Sequence, residues 1–164
     1  MKKLISIIII AATLLAIVSC GEKVASYKTD VSVAALAEAA DKVIASADTL
    51  NGITDSEYIK NNEIASSGYE EAIVKVAASG TTLDEYGIFK ASDDASAESL
   101  KNQLTDYLKL RADNWMDGCM PEEEHPKVDK ATVKVMGRYV VYCILSDSEK
   151  EAVFTAIDNI LLGK

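Results

Sequence analysis

Beyond residue 30, apolar positions recur along the chain at two different spacings. In residues 31–47 and 95–117 they return every three or four residues, which places them on one face of a helix. Asp30 precedes the first stretch, and Asp94 or Ser96 opens the second, each a residue type that favours the helix N-cap. The predicted inward faces are Val33, Leu36, Ala37, Ala40, Val43, Ile44 and Ala47 in helix one, and Ala97, Leu100, Leu104, Tyr107, Leu108 and Trp115 in helix two, which should end near Gly118.

Two pairs of stretches alternate instead with a period of two, which is typical of strands. Residues 69–77 and 83–92 form the first pair, separated by the Ser79-Gly80 break, and predict an antiparallel hairpin. Residues 131–135 and 138–146 form the second pair, joined at Met136-Gly137. The last of these strands is apolar on both faces, so we expect it to lie centrally in the sheet.

A third helix is predicted at the C-terminal end of the chain. Ser148 and Glu151 have the spacing of a capping box, in which a serine and a glutamate satisfy each other's backbone N–H groups. Gly163 lies just past the predicted end. The inward face consists of Val153, Ala156, Ile157, Ile160 and Leu161.

Two connections are less regular. Residues 48–68 contain the turn signal Asn51-Gly52 and a short helix near 55–61, and they are long for an unstructured loop. They therefore either hold further structure or form a binding segment. Residues 119–130 contain both prolines of the chain, and we expect neither a helix nor a central strand there.

The order of elements predicts the fold class. Helix, hairpin, helix, hairpin and helix follow one another, which is an α+β arrangement. The simplest packing is a four-stranded antiparallel sheet with helices on one face.

The N-terminal segment predicts where the protein is located. Lys2 and Lys3 precede an apolar run over residues 4–18, which is the length of a signal-peptide core and too short to span a bilayer. The run ends at Ser19-Cys20, a small residue before a cysteine, as in the lipobox of bacterial lipoproteins. The resemblance implies that Cys20 carries a diacylglycerol and becomes the mature N-terminus. We therefore expect a signal peptide over 1–19, a tether over 20–30 and a single domain over 31–164, anchored to the outer face of the cell membrane by acyl chains.

Composition argues against two kinds of anionic partner. Removing residues 1–19 leaves 145 of 164 residues, enough for one domain with a core, and takes away two lysines, so the side-chain charge falls from −9 to −11. Such acidity argues against nucleic-acid binding and against a basic patch that holds anionic lipid.

Reactive side chains are few. Once Cys20 is acylated, Cys119 and Cys143 remain; Cys143 fits a buried strand position, and a disulfide between them is the less favoured alternative. His125, the single histidine, follows Glu122, Glu123 and Glu124, which is a potential cation site, although a solvated acidic loop is the preferred interpretation. No metal site or cofactor is predicted.

Carboxylates and aromatic residues provide two further candidate sites. Asp84, Glu85, Asp93 and Asp94 could serve acid–base chemistry, but their places at strand ends and at a helix start favour a role with the helix dipole. An exposed aromatic row would instead suggest a groove for a peptide or glycan, although Trp115 fits a core position better. The aromatic candidates are Tyr69, Tyr86, Tyr107, Trp115, Tyr139 and Tyr142.

Three features together resemble the domain of unknown function 4358 family, small lipoproteins of Gram-positive anaerobes. They are the lipobox, the strand Glu85–Lys90 with two aspartates after it, and helix two leading into a proline-containing acidic loop and the hairpin residues Gly137–Val140. The similarity covers roughly residues 30–162, and Met120-Pro121 departs from the family's Tyr and Pro pattern. It implies an envelope location and a fold, but no activity.

The favoured hypothesis is a non-enzymatic binding or adaptor domain, with an envelope protein or glycan as partner and no catalytic residues. One alternative is a carboxylate-dependent enzyme of the cell envelope. The other is a small ligand-binding accessory protein of a transporter.

Overall fold

The computed structural model of the protein describes residues 26–78, 80, 82–116 and 118–164. A single antiparallel sheet of five strands forms its centre, with the spatial order β1-β2-β3-β5-β4. The strands are β1 (Leu50–Ile53), β2 (Tyr69–Ala77), β3 (Glu85–Ala91), β4 (Thr132–Met136) and β5 (Tyr139–Ile144). The helices are α1 (Val33–Asp41), α2 (Ser56–Asn61), α3 (Asp94–Asp113), α4 (His125–Asp129) and α5 (Asp147–Leu162), with short 3-10 turns at Ala47–Thr49 and Glu122–Glu124.

The sheet confirms the α+β class and both hairpins, but the prediction of four strands was wrong. The additional strand is β1, which pairs antiparallel with β2 from Leu50 opposite Ala77 to Ile53 opposite Val74. It lies at the sheet edge and is only four residues long, so it has no alternating pattern to recognise. The Asn51-Gly52 pair, taken as a turn, lies inside the strand. Residues 48–68 therefore do hold further structure, including α2 close to its predicted place.

Helices cover both faces of the sheet, so the prediction of one covered face was also wrong. One core lies between the sheet and helices α1 and α5, and includes Tyr86, Val141 and Cys143. The second core lies on the opposite face under α3 and includes Phe89 and Tyr142. The physical reason is that β3 and β5 are apolar on both faces, and every residue of β5 is buried.

Helix α1 is shorter than predicted. Its N-cap is Ser32, whose Oγ accepts from the Ala35 N–H, and the helix ends at Asp41 instead of continuing to 47. Ile44 remains buried although it lies beyond the helix, and Val43 is exposed. The backbone N–H of Ala45 donates to Glu149 of α5 at 3.1 Å, so a tertiary contact replaces further helical bonding there.

The other helix boundaries shift for local reasons. Helix α3 is capped by Asp93 rather than by Asp94 or Ser96, and it ends at Asp113, before Trp115. Helix α5 is capped by Ser146, whose Oγ accepts from the Glu149 N–H. The serine cap is therefore Ser146, two residues before the predicted Ser148, and the Glu149 carboxylate accepts from the Ser146 hydroxyl instead of closing a reciprocal capping box. Gly163 takes the expected left-handed conformation after the helix.

The proline-containing segment is helical, which contradicts the prediction for residues 119–130. Pro126 occupies the first turn of α4, where the missing N–H removes no helical hydrogen bond. Pro121 precedes the 3-10 turn Glu122–Glu124 as its N-cap. Proline therefore starts these two short helical elements.

Gly87 allows two elements to approach closely. A Cβ atom built on it would lie 2.2 Å from Cε1 of Tyr142, on the paired strand β5, and 3.0 Å from Cε2 of Phe89. Side chains larger than hydrogen therefore cannot fit at this position of β3 unless the Tyr142 ring moves.

Residues 27–31 belong to the domain and not to a free tether. The Tyr27 hydroxyl donates to Asp158 at 2.9 Å, and the Lys28 N–H donates to the Leu161 carbonyl at 2.9 Å. The Tyr139 hydroxyl donates to the Val31 carbonyl at 2.5 Å. We name Tyr27–Val31 the docked segment. The predicted signal peptide, residues 1–19, and the lipidation site Cys20 lie outside the described residues.

Within the described ranges, no helix has the length and apolar character needed to cross a membrane. Cys143 is buried and Cys119 is exposed, and both are free thiols, so the disulfide alternative is wrong. The buried place predicted for Cys143 is confirmed.

Candidate functional site

Two adjacent carboxylates are buried where β3 begins. Asp84 is 6 % exposed and Glu85 is 3 % exposed, although each carries a charge that water would solvate well. Glu85 lies opposite Ile144 in the pairing of β3 with β5. Each carboxylate is therefore stabilised by partners from elsewhere in the chain.

Glu85 accepts from three donors. Its Oε1 accepts from the hydroxyls of Tyr107 and Tyr142, both at 2.7 Å, and its Oε2 accepts from Nη1 of Arg111 at 2.6 Å. The same Arg111 nitrogen also donates to the Tyr107 hydroxyl at 2.8 Å. Tyr107 and Arg111 are four residues apart on α3, so they lie on one face of the helix and reach Glu85 together.

Asp84 is held by a second group of partners. Its Oδ1 accepts from Lys127 Nζ at 2.6 Å, and its Oδ2 accepts from the Ser46 hydroxyl at 2.7 Å. Lys127 also pairs with Glu124 at 2.9 Å. Oε2 of Glu124 also accepts from the backbone N–H of Leu83 at 2.8 Å, which ties the acidic loop to the start of β3. We name Asp84, Glu85, Tyr107, Arg111, Glu124, Lys127 and Tyr142 the charged cluster.

The cluster shifts the pKa of its tyrosines and cations. Burial first, and then the charge of Glu85, raise the pKa of the Tyr107 and Tyr142 hydroxyls well above the usual value, so both remain neutral donors. Burial lowers the pKa of Arg111 and of Lys127, but the carboxylates beside them have the larger, opposite effect. Glu85 therefore raises the pKa of Arg111, and Asp84 together with Glu124 raises the pKa of Lys127. The cluster is therefore a fixed set of ions and hydrogen bonds.

An open cleft of about 330 Å³ lies beside the cluster. Asp84, Glu85 and Arg111 line it together with Tyr58, which is 41 % exposed. The Arg111 side chain keeps 31 % exposure, against 3 % for Glu85, so Arg111 is the more exposed partner of this ion pair at the cleft. Arg111 also borders a second cleft of about 150 Å³, which is lined by Trp115 and Cys119 among others.

The arrangement is suited to binding. Within the part of the chain that the structure describes, every buried side-chain nitrogen and oxygen has a hydrogen-bond partner. A fixed guanidinium at the wall of a cleft can donate two parallel hydrogen bonds to a carboxylate. Arg111 donates to Glu85 and to the Tyr107 hydroxyl through Nη1. These contacts position the guanidinium without using the N–H groups on its other nitrogens.

The structure separates the four predicted carboxylates. Asp93 caps α3, with its Oδ1 accepting from the Ser96 N–H at 2.7 Å, and Asp94 lies in the first turn, as the helix-dipole interpretation predicts. Asp84 and Glu85 lie in the charged cluster, so that interpretation was wrong for them.

His125 stacks on Trp115, with ring centroids 4.4 Å apart, and its Nε2 lies 3.4 Å from Asp129. Glu122 and Glu123 are exposed, as expected for a solvated loop, but Glu124 is buried. Among the described residues, no three His, Cys, Asp or Glu side chains are grouped to hold a metal ion.

The predicted aromatic row does not form an exposed surface. Tyr86, Tyr107, Tyr139 and Tyr142 are all buried, and Tyr69 packs edge-on against Phe89 with centroids 5.3 Å apart. Trp115 lies past the end of α3 rather than on its apolar stripe.

The sequence interpretation missed Arg111 and Lys127. A signal for Arg111 was present, because it follows Tyr107 by one helical turn on the predicted inward face of helix two. Lys127 had no such signal, since its short helix was not expected.

Comparison with known proteins gives one match. The family model described as "Domain of unknown function (DUF4358)" matches residues 35–145, a range that contains the whole charged cluster. Neither the curated proteins nor the solved structures contain a match to the chain.

Proposed function

The chain belongs to the DUF4358 family, and from this premise and the site geometry we propose a lipid-anchored envelope protein that binds a ligand without converting it. The ligand site is the cleft beside the charged cluster, and the ligand bears a carboxylate. Cys20 carries the acyl chains and holds the domain on the outer face of the cell membrane.

The observation that carries the proposal is the buried charged cluster at the wall of a preformed cleft. Buried ion pairs contribute little to stability compared with apolar residues of similar volume, because desolvation of the ions offsets their attraction. Stability alone is therefore a weak reason for burying Asp84, Glu85 and their partners in one place. Positioning Arg111 for a ligand is a stronger reason.

The exposed part of Arg111 supports a carboxylate as the ligand group. The guanidinium fork matches a carboxylate in shape and number of donors, and it stays charged at all physiological pH values. The side chains of the chain from Cys20 onward sum to −11, which is −9 for the full sequence less Lys2 and Lys3, and this charge opposes an anion at long range. Screening limits that repulsion to roughly 8 Å at physiological salt, so the local hydrogen bonds decide.

The state of the two buried carboxylates supports binding over catalysis. All four of their oxygens already accept hydrogen bonds from side chains, and both acids face a cation. A general base would have to give up such contacts or share its oxygen with a substrate proton. We therefore assign Asp84 and Glu85 the role of holding Lys127 and Arg111 in place.

Replacing Cys20 with alanine should release the protein from the membrane fraction or mislocalise it within that fraction. The acyl chains on the sulfur supply the anchor, and one chain alone gives only marginal binding. Fractionation followed by mass spectrometry of the mature N-terminus measures the effect. Unchanged fractionation of the variant, with processing insensitive to an inhibitor of the lipoprotein signal peptidase, would contradict the anchor.

The ligand class can be tested with paired small probes. N-acetylalanine carries a carboxylate, and N-acetylalanine amide is its neutral counterpart. We expect the acid to shift the amide resonances of Gly80, Leu83 and Arg111 in a saturable NMR titration, with a Kd roughly tenfold lower than that of the amide, about 1.4 kcal/mol.

Variants on α3 provide the control for that titration. Arg111→Lys keeps the charge but loses the fork, and should weaken binding of the acid several-fold. Lys109→Gln removes a whole charge from an exposed site on the same helix and should leave the Kd unchanged. Equal response to the acid and the amide, or shifts remote from the cleft, would exclude this ligand class.

A further inference from the structure

The docked segment ties the lipid-bearing end of the chain to one end of the sheet. We propose that it orients the domain on the membrane so that the cleft opens away from the bilayer and takes its ligand from the aqueous side. This inference rests on the proposed lipidation of Cys20, and it does not depend on which ligand binds.

The docked segment and the cleft lie at opposite ends of the same strands. Tyr139, which bonds to Val31, pairs with Lys90 near the end of β3. Glu85, at the cleft, pairs with Ile144 at the other end of β5. Five residue steps separate the two pairs, which corresponds to roughly 17 Å along the strands.

Helix α5 also runs from the cleft end of the domain to the docked segment. It begins at Asp147, close to Lys130 and the acidic loop, and it ends beside the docked segment, where Leu161 accepts from Lys28. Sixteen helical residues span roughly 24 Å. The cleft is therefore separated from the docked segment by most of the length of the domain.

The chain available between the anchor and the domain is short. Seven residue steps separate Cys20 from Tyr27, which reach at most roughly 25 Å when fully extended. A cleft that faced the bilayer would require those residues to run nearly taut along the whole domain, with a large loss of conformational entropy. The opposite orientation requires no such extension.

The exposed charges are of both signs at both ends of the domain. Glu122, Glu123 and Lys130 are exposed near the cleft end, and Lys28 and Asp30 are exposed in the docked segment. The short linker therefore determines the orientation and turns the cleft toward the aqueous side, so the partner that fits it is a soluble or wall-side molecule with a carboxylate rather than a membrane lipid.

The test uses the full lipidated protein in vesicles of phosphatidylcholine and phosphatidylglycerol that contain a head-group quencher. Cys119 is exposed and borders the second cleft, so a thiol-reactive fluorophore placed there reports on the cleft end. The double variant Cys119→Ser with Lys164→Cys moves the fluorophore to the docked end. We expect at least threefold stronger quenching at position 164 than at position 119.

Flotation of the vesicles separates the two proposals. A lipidated protein that floats but shows equal quenching, or stronger quenching at Cys119, overturns the orientation alone. A protein that does not float overturns the anchor and the orientation with it. Insertion of about fifteen Gly and Ser residues after Lys23 lengthens the linker and permits other orientations. It should therefore reduce the difference in quenching between the two probes. A difference that persists unchanged overturns the role given to the short linker.

Discussion

Replacement of Glu85 by alanine is expected to destabilise the domain by about 3–5 kcal/mol, the cost of removing one partner from a buried ion pair. The change leaves Arg111 without its carboxylate and leaves the hydroxyls of Tyr107 and Tyr142 without their shared acceptor. The loss is a large part of the roughly 5–15 kcal/mol by which ordinary domains are stable. Urea denaturation followed by circular dichroism measures it as a shift of the unfolding midpoint.

Two further variants identify the cause of that loss. Glu98→Ala removes a carboxylate from the exposed face of α3, where it pairs with Lys101, and should cost less than about 1 kcal/mol. Glu85→Leu combined with Arg111→Met removes both charges and should recover part of the stability, since no uncompensated ion is left. If Glu85→Ala costs no more than Glu98→Ala, the charged cluster is not the buried network described above.

A methyl group at Gly87 is expected to destabilise the domain by about 1–3 kcal/mol or more, as overpacking of a well-packed core does. The new Cβ would lie 2.2 Å from the Tyr142 ring, a separation that a folded protein does not tolerate. The ring cannot move aside freely, because its hydroxyl is bonded to Glu85 at 2.7 Å. Denaturation of Gly87→Ala beside the wild type measures the effect.

Gly80→Ala is the matched control for this substitution. A Cβ built at Gly80 meets no atom within 4 Å, so the same chemical change should leave the free energy of unfolding nearly unchanged. A wild-type midpoint for Gly87→Ala would show that β3 and β5 are not as close at this position as the geometry requires.

The sequence predicted the central hairpins well because their signals are local. Strands β2, β3 and β5 alternate or are apolar throughout, and they fold where that pattern places them. Strand β1 is four residues long, contains a glycine, and gains its structure from pairing with β2, which no local pattern reveals. The apolar character of β5 on both faces did contain the information that helices cover both faces of the sheet.

The acidic residues of the candidate site could be predicted from the sequence, but their partners could not. Asp84 and Glu85 could be singled out as acidic residues beside a strand, but their burial depends on donors that are distant in sequence. Arg111 is 26 residues from Glu85, and Lys127 is 43 residues from Asp84. Such pairs form only when α3 and α4 pack on the sheet, and tertiary packing of this kind is not visible in residue spacing.

The docked segment and α5 together determine the shortest recombinant fragment that keeps the folded domain. The family match ends at residue 145, before α5, and begins at residue 35, after the docked segment. Yet Val153, Phe154, Ile157 and Leu161 of α5 are buried in the core that α1 shares with the sheet. A recombinant fragment trimmed to 35–145 would expose that apolar surface to water and aggregate, whereas one spanning residues 26–164 keeps both ends of the folding unit.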